Sequence, residues 1–162
     1  MAPELLMTRY DVPDFLKSIG IKRTIYIRWL DRKAMAHVKR DRARGNKSAT
    51  KEIYKVAIHQ AVQTSGGRDA YTGEKLDWHL ISKYDNESSK MDGRRYKATF
   101  GLLPTVDHVG DGAGPADFKI CAWRTNDAKN DLSLEEFVSL CRRVVAANPS
   151  VGNSVPDTKW TR

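Results

Sequence analysis

Residues 104–118, PTVDHVGDGAGPADF, bring an aspartate and a histidine together at the end of a short apolar run, then enter a loop with three glycines in five residues. An imidazole exchanges protons near neutrality, and a carboxylate can hold a hard cation through oxygen. The glycine stretch itself matches no phosphate cradle: GDGAG lacks the Gly-Lys-Ser/Thr ending of a P-loop and the GxGxxG dinucleotide spacing. It fails the EF-hand pattern as well. Neighbouring residues of a regular strand point to opposite faces, so Asp107 and His108 address one site only if the backbone turns sharply. Gly110, Gly112 and Gly114 are read as supplying that turn through positive φ. An isolated Asp-His pair is more often a surface feature than a catalytic one, so its surroundings decide.

Those surroundings are ordered. Asp117 opens a second apolar segment, FKICAWR, Asn126 stands nine positions after it, and Lys129 three further on. VDHV followed by ADFKICAWRTNDAKNDLSLEEF resembles the HNH endonucleases, the ββα-metal or His-Me finger nucleases, and the resemblance spans residues 70–141 when YTGEKL is counted as a lead-in. It implies that His108 is a general base, that Asp107 and Asn126 hold a divalent cation (Mg²⁺ or Mn²⁺), and that DNA is the substrate. The chemistry suits these residue types. Phosphodiester hydrolysis needs a deprotonated water and a cation to offset charge growing on the phosphorane and leaving oxygen. Mg²⁺ keeps several waters, so one carboxylate and one amide oxygen suffice beside a substrate phosphate.

The chain departs from the family pattern in two places. Asp117 stands where the family has an asparagine that holds the loop and the base. A carboxylate accepts hydrogen bonds but, when ionised, donates none, so Asp117 is expected to set the loop and the His108 tautomer through a different bond. Cys121 and Cys141 form no CxxC pair, so no structural zinc is expected; both are read as buried thiols. Lys129 is read as a phosphate contact.

The elements that must position these residues follow from periodicity. In residues 24–44, Ile27, Leu30, Ala34 and Val38 recur at three- and four-residue steps, leaving Arg28, Arg32, Lys39 and Arg42 on a basic face. Thr50 caps a second helix with a stripe of Tyr54, Ile58, Ala61 and Val62, ending at Gly66-Gly67. DAYTGEKLDWHLIS reads as a hairpin or tight turn, residues 83–96 as a polar surface loop, and residues 97–106 as a strand ending at the Asp-His pair. FKICAWR alternates as a second strand, TNDAKND starts a short helix, and Ser133 with Glu136 forms a capping box. The helix it opens has Leu134, Phe137, Leu140, Cys141, Val144 and Val145 on one face. Trp123 is read as core, and His37, His59 and His79 as structural.

Composition sets the wider frame. The net charge of +8 is concentrated, because residues 22–55 hold twelve Lys/Arg against three Asp/Glu. Such a stretch suits a polyanion, and on this reading Arg28, Arg32, Lys39 and Arg42 position duplex DNA. With 40% hydrophobic and 30% charged residues and no apolar run of membrane length, the chain reads as a soluble, cytoplasmic protein with no membrane partner. The expected fold is α+β: a basic helical region (1–66), a ββα-metal finger with a C-terminal helix (67–148) and a loose tail (149–162). The expected function is a metal-dependent DNA endonuclease, with a non-catalytic DNA-binding module or an RNA nuclease as alternatives. Two-strand cleavage by one finger per chain would require two chains or two visits, which allows a homodimer.

Overall fold

Thr50 illustrates how local sequence sets the longer helices. Its hydroxyl oxygen accepts the Ile53 amide at 3.3 Å, satisfying one of the donors that a helical first turn leaves without a partner. The helix runs Lys51–Ser65 and stops where Gly66 turns left-handed at φ 56°. In the computed structural model, which describes residues 9–152, this is α3. Before it come a short α1 (Asp14–Lys17) and the long α2 (Arg23–Ala43). After it come a 3-10 helix (Trp78–Ser82), α4 (Asn86–Asp92), α5 (Arg94–Thr99), β1 (Pro104–His108) and β2 (Phe118–Ala122), followed by α6 (Trp123–Lys129), α7 (Leu134–Ala147) and α8 (Pro149–Gly152). The fold is mixed α+β. No helix among the described residues is long and apolar enough to cross a membrane.

The chain divides into two compact units inside α6, one up to Asn126 and one from Asp127. In the first, α2 and α3 pack together and α3 covers β2. The buried face of α2 carries Tyr26, Trp29, Leu30, Ala34, His37, Val38 and Asp41, so the apolar stripe ends on two polar side chains. Trp29 meets Trp78 edge-on at 5.3 Å, and Tyr54, Ile58 and Val62 face them from α3. Each such large side chain contributes about 1.5–3 kcal/mol through burial. Between the helices Asp31 pairs with Lys51 at 2.9 Å and Lys55 at 3.1 Å. Partial burial would push its carboxyl up, but the two lysines more than offset this and hold it below the usual range. His59 meets the Tyr26 hydroxyl at 2.7 Å, inside the core.

β1 and β2 form a two-stranded antiparallel sheet in which Thr105 faces Cys121, Asp107 faces Lys119 and His108 faces Phe118. The strand expected over residues 97–106 begins only at Pro104; residues 94–99 are helical. Residues 83–96, expected as loop, contain α4 and the first half of α5. Asp85 caps α4 by accepting the Glu87 and Ser88 amides, and Gly93 separates the two helices. Neither helix buries a residue, so neither shows an apolar period. The turn at Thr72-Gly73 is present, but its flanks meet only at the Arg68–Lys75 bridge, and Trp78 starts a 3-10 helix instead of a strand. Trp123 starts α6 and is half-buried, packed against the core.

The second unit is dominated by α7. Ser133 and Glu136 make both bonds of the capping box, and no residue of the helix is buried. Cys121 is buried as expected, whereas Cys141 on α7 is exposed. The tail starts with the helical turn α8, and residues 1–8 and 153–162 lie outside the described residues.

Candidate active site

The Asp-His pair ends β1, and the strand stays in register through His108. Alternation therefore survives, and the two side chains go to different surroundings. Asp107 Oδ2 accepts the Tyr71 hydroxyl at 2.6 Å. His108 Nδ1 lies 2.7 Å from Asp41 Oδ2 on α2. The glycines thus do not swing both side chains onto one point.

Asp41 is the centre of the His108 side. Its side chain is fully buried, that of His108 is 3% exposed, and Tyr54 donates its hydroxyl to Asp41 Oδ2 at 2.8 Å. Arg40 Nε stands 3.5 Å from Oδ1. Burial would raise the Asp41 carboxyl, but the Tyr54 hydrogen bond and the neighbouring His108 and Arg40 outweigh it, leaving the group below the ordinary range. Tyr54 moves the opposite way, pushed up to about 12 by burial and by its bond to that carboxylate.

The His108 ring is boxed by aromatic neighbours: Phe118 at 4.6 Å, Tyr54 edge-on at 5.8 Å and His37 edge-on at 6.3 Å between centroids. The Nδ1 contact with Asp41 is close but out of line for a hydrogen bond, and Nε2 is buried with no protein partner among the described residues. In the neutral ring with its proton on Nδ1, facing the Asp41 carboxylate, Nε2 is the nitrogen that can take a proton.

The glycine loop closes over this cluster. Its base is the Val109 amide bonded to the Asp117 carbonyl at 2.9 Å. Asn46 reaches in and donates to the Gly112 carbonyl at 2.9 Å. Gly110 and Gly112 have φ of 94° and 80°, whereas Gly114 has no positive φ. Gly112 is also a close approach: a Cβ there would stand 2.6 Å from Asp41 Oδ1. Gly112→Ala is therefore expected to cost about 2–4 kcal/mol, of which about 1–2 is the left-handed backbone alone and the rest the displacement of Asp41. Gly110→Ala, with nothing near its Cβ, should show only the backbone part. Urea unfolding of the two variants side by side measures the difference.

His37 links α2 to the cluster, its Nδ1 lying 2.7 Å from an Arg40 guanidinium nitrogen. Burial first, then Arg40 and Lys33, drive its pKa down to about 3. An unfolded imidazole binds its proton near pH 6.5. In between, only the unfolded chain carries that proton, so stability is full above about pH 6.5 and falls as the pH drops toward 3, by at most about 1.4 kcal/mol per unit. His59 is lowered too, by burial. Chemical denaturation between about pH 7 and 5 should show this slope, and His37→Gln should flatten it without abolishing it.

On the Asp107 side the lead-in segment is stitched down. Asp69 accepts the Tyr71 amide at 2.7 Å, the Thr72 amide at 3.2 Å and the Ala122 amide of β2 at 2.8 Å. Arg124 on α6 pairs with Glu74. Burial, followed by the bond to Asp107, raises the Tyr71 hydroxyl above the usual tyrosine range, so it remains a donor. Lys33 donates to Thr105 Oγ1 at 2.9 Å, two residues before Asp107 on the same strand face; desolvation and then Arg32 pull its amine down to about 8.

Asn126 is half-buried on α6, and its amide makes no hydrogen bond among the described residues. Asp117 is exposed, and its carboxylate makes no such bond either; it sets the loop through its carbonyl, and the carboxylate against His108 is that of Asp41. Arg28 and Lys39 are exposed on α2. Arg32 and Arg42 are exposed but engaged, donating to the Ile81 and Ala49 carbonyls at 3.3 and 2.8 Å. Lys129, read as a phosphate contact, is buried.

As donors, Asp107 and Asn126 offer carboxylate and amide oxygen, the chemistry of a hard cation that keeps most of its water. Among the described residues no group of three or more His, Cys, Asp or Glu is placed to hold a metal ion. Sequence reading missed Asp41, Tyr54 and Asn46. One signal was available: Asp41 continues the step from Ala34 and Val38, an acid on the buried stripe within a basic run. No family model, curated protein or solved structure matches this chain.

Proposed function

We propose that the chain is a metal-dependent endonuclease of the ββα-metal type, acting on DNA. The observation that carries this reading is the order of parts. An antiparallel hairpin ends its first strand on Asp107-His108 and passes without a break from its second strand into the helix bearing Asn126.

In this reading His108 accepts a proton from water at Nε2. Asp41 holds the ring from the Nδ1 side and meets the imidazolium charge that results. Tyr54, by donating to the same carboxylate, keeps it oriented toward His108. Asp107 and Asn126 would hold a divalent cation, which supplies charge stabilisation at the phosphate. Tyr71 fixes the Asp107 carboxylate. Arg28 and Lys39, exposed on α2, bind phosphates along the duplex. Loop 109–117, held by Asn46 and by the Val109 amide, must lift for water and phosphate to reach His108.

Two observations favour the second reading, a DNA-binding module that keeps the hairpin as a scaffold: the His108 side chain is almost wholly covered, and Asp107 and His108 leave the strand toward different surroundings. Supercoiled plasmid incubated with Mg²⁺ or Mn²⁺ separates the two. Nicked or linear product that disappears with EDTA supports the nuclease. Salt-sensitive binding without product under either metal supports the scaffold. Parallel incubation with single-stranded DNA and RNA identifies the substrate class.

A further inference from the structure

One helix of the second unit carries an exposed apolar face among the described residues. On α7, Leu134, Val138, Leu140, Val144 and Val145 are each exposed by more than a third, Val144 and Val145 by 55% and 57%. The sequence alternates these with charge in a particular order. At about 100° per residue, the apolar residues cover one broad arc. Glu135 and Arg142 lie along one flank of it, Glu136 and Arg143 along the other.

Each flank therefore runs from acid to base along the helix. A second copy laid parallel would bring acid to acid and base to base. A second copy laid antiparallel about an axis near Ser139 brings Glu135 against the partner copy's Arg142 and Glu136 against its Arg143, each twice. The same axis sets Leu134 opposite Val144, Phe137 opposite Cys141 and Val138 opposite Leu140, so both the apolar and the charged rows complement themselves. Helix-dipole compensation explains the two glutamates in the first turn, but not the arginines, since the last turn of α7 carries no basic residue.

We propose that α7 is a homodimerisation surface, pairing antiparallel with α7 of a second copy of this chain. The inference does not depend on the nuclease reading. A pair of 14-residue helices buries less than the roughly 1,600 Å² of a standard interface, the size class of weak and transient contacts.

Sedimentation equilibrium under reducing conditions, over about 1–200 μM, should show the mass rising from one chain toward two. Glu135→Arg/Glu136→Arg should weaken association at least about tenfold, and so should Arg142→Glu/Arg143→Glu. Mixing these two variants should restore a dimer, because one then presents only arginine and the other only glutamate. All four positions are exposed, and circular dichroism verifies that each variant folds. A monomer at every concentration overturns the proposal. So does a dimer indifferent to both charge reversals, or one that the mixture fails to restore.

Discussion

His108→Ala is expected to lower plasmid cleavage by about 10²–10⁴-fold, the usual worth of a positioned general base, while leaving the affinity for duplex DNA within about twofold. Affinity should hold because the basic residues exposed on α2, Arg28 and Lys39, are untouched. The substitution also removes the imidazole that stands 2.7 Å from a buried carboxylate, so stability falls as well. Rates are therefore compared well below the melting temperature of the variant, with DNA binding measured on the same preparation. Cleavage that continues at the parental rate would place the base elsewhere.

Asp41→Ala is expected to lower stability by about 3–5 kcal/mol, the cost of removing one partner from a buried charged group. Three groups lose their counterpart together: the Tyr54 hydroxyl, the His108 imidazole and the Arg40 guanidinium. The close approach of Gly112 is lost at the same time, so the loop over the site loosens. Asp41→Asn keeps the volume and one acceptor for Tyr54 but not the charge, and should cost less than the alanine variant. Urea denaturation of both, read by tryptophan fluorescence through Trp29 and Trp78, orders them. Equal losses would mean that packing, and not charge, holds the cluster.

The elements most legible in the sequence were those whose signals are local and periodic. Thr50 and Ser133 announce their helices because a cap is a short-range bond. The end of β1 at His108 and the start of β2 at Phe118 were legible because the loop between them is marked by glycine and proline. α4 and α5 were illegible because they bury nothing, and a helix without an apolar stripe looks like a loop. The exposure of Cys141 was hidden for the converse reason: an amphipathic period shows which face is apolar, not whether anything covers it. At the site, the pair Asp107-His108 could be found from sequence, but their partners could not. Asp41 and Tyr71 come from segments far off in the chain, and only the tertiary fold pairs them.

That distance has a consequence for how the site comes into being. The bond from Ala122 to Asp69 spans 53 residues and the bond from Asn46 to Gly112 spans 66. Contacts of such sequence separation form against a large loop-closure entropy and slow the search for the native state. The hairpin of residues 104–122 would not carry its geometry into a grafted fragment, because its pins belong to the rest of the chain. During synthesis the helices can form as they emerge, whereas His108 meets Asp41 only after a long intervening segment has been made. The cluster around His108 therefore assembles only once the segment through Ala122 has been made.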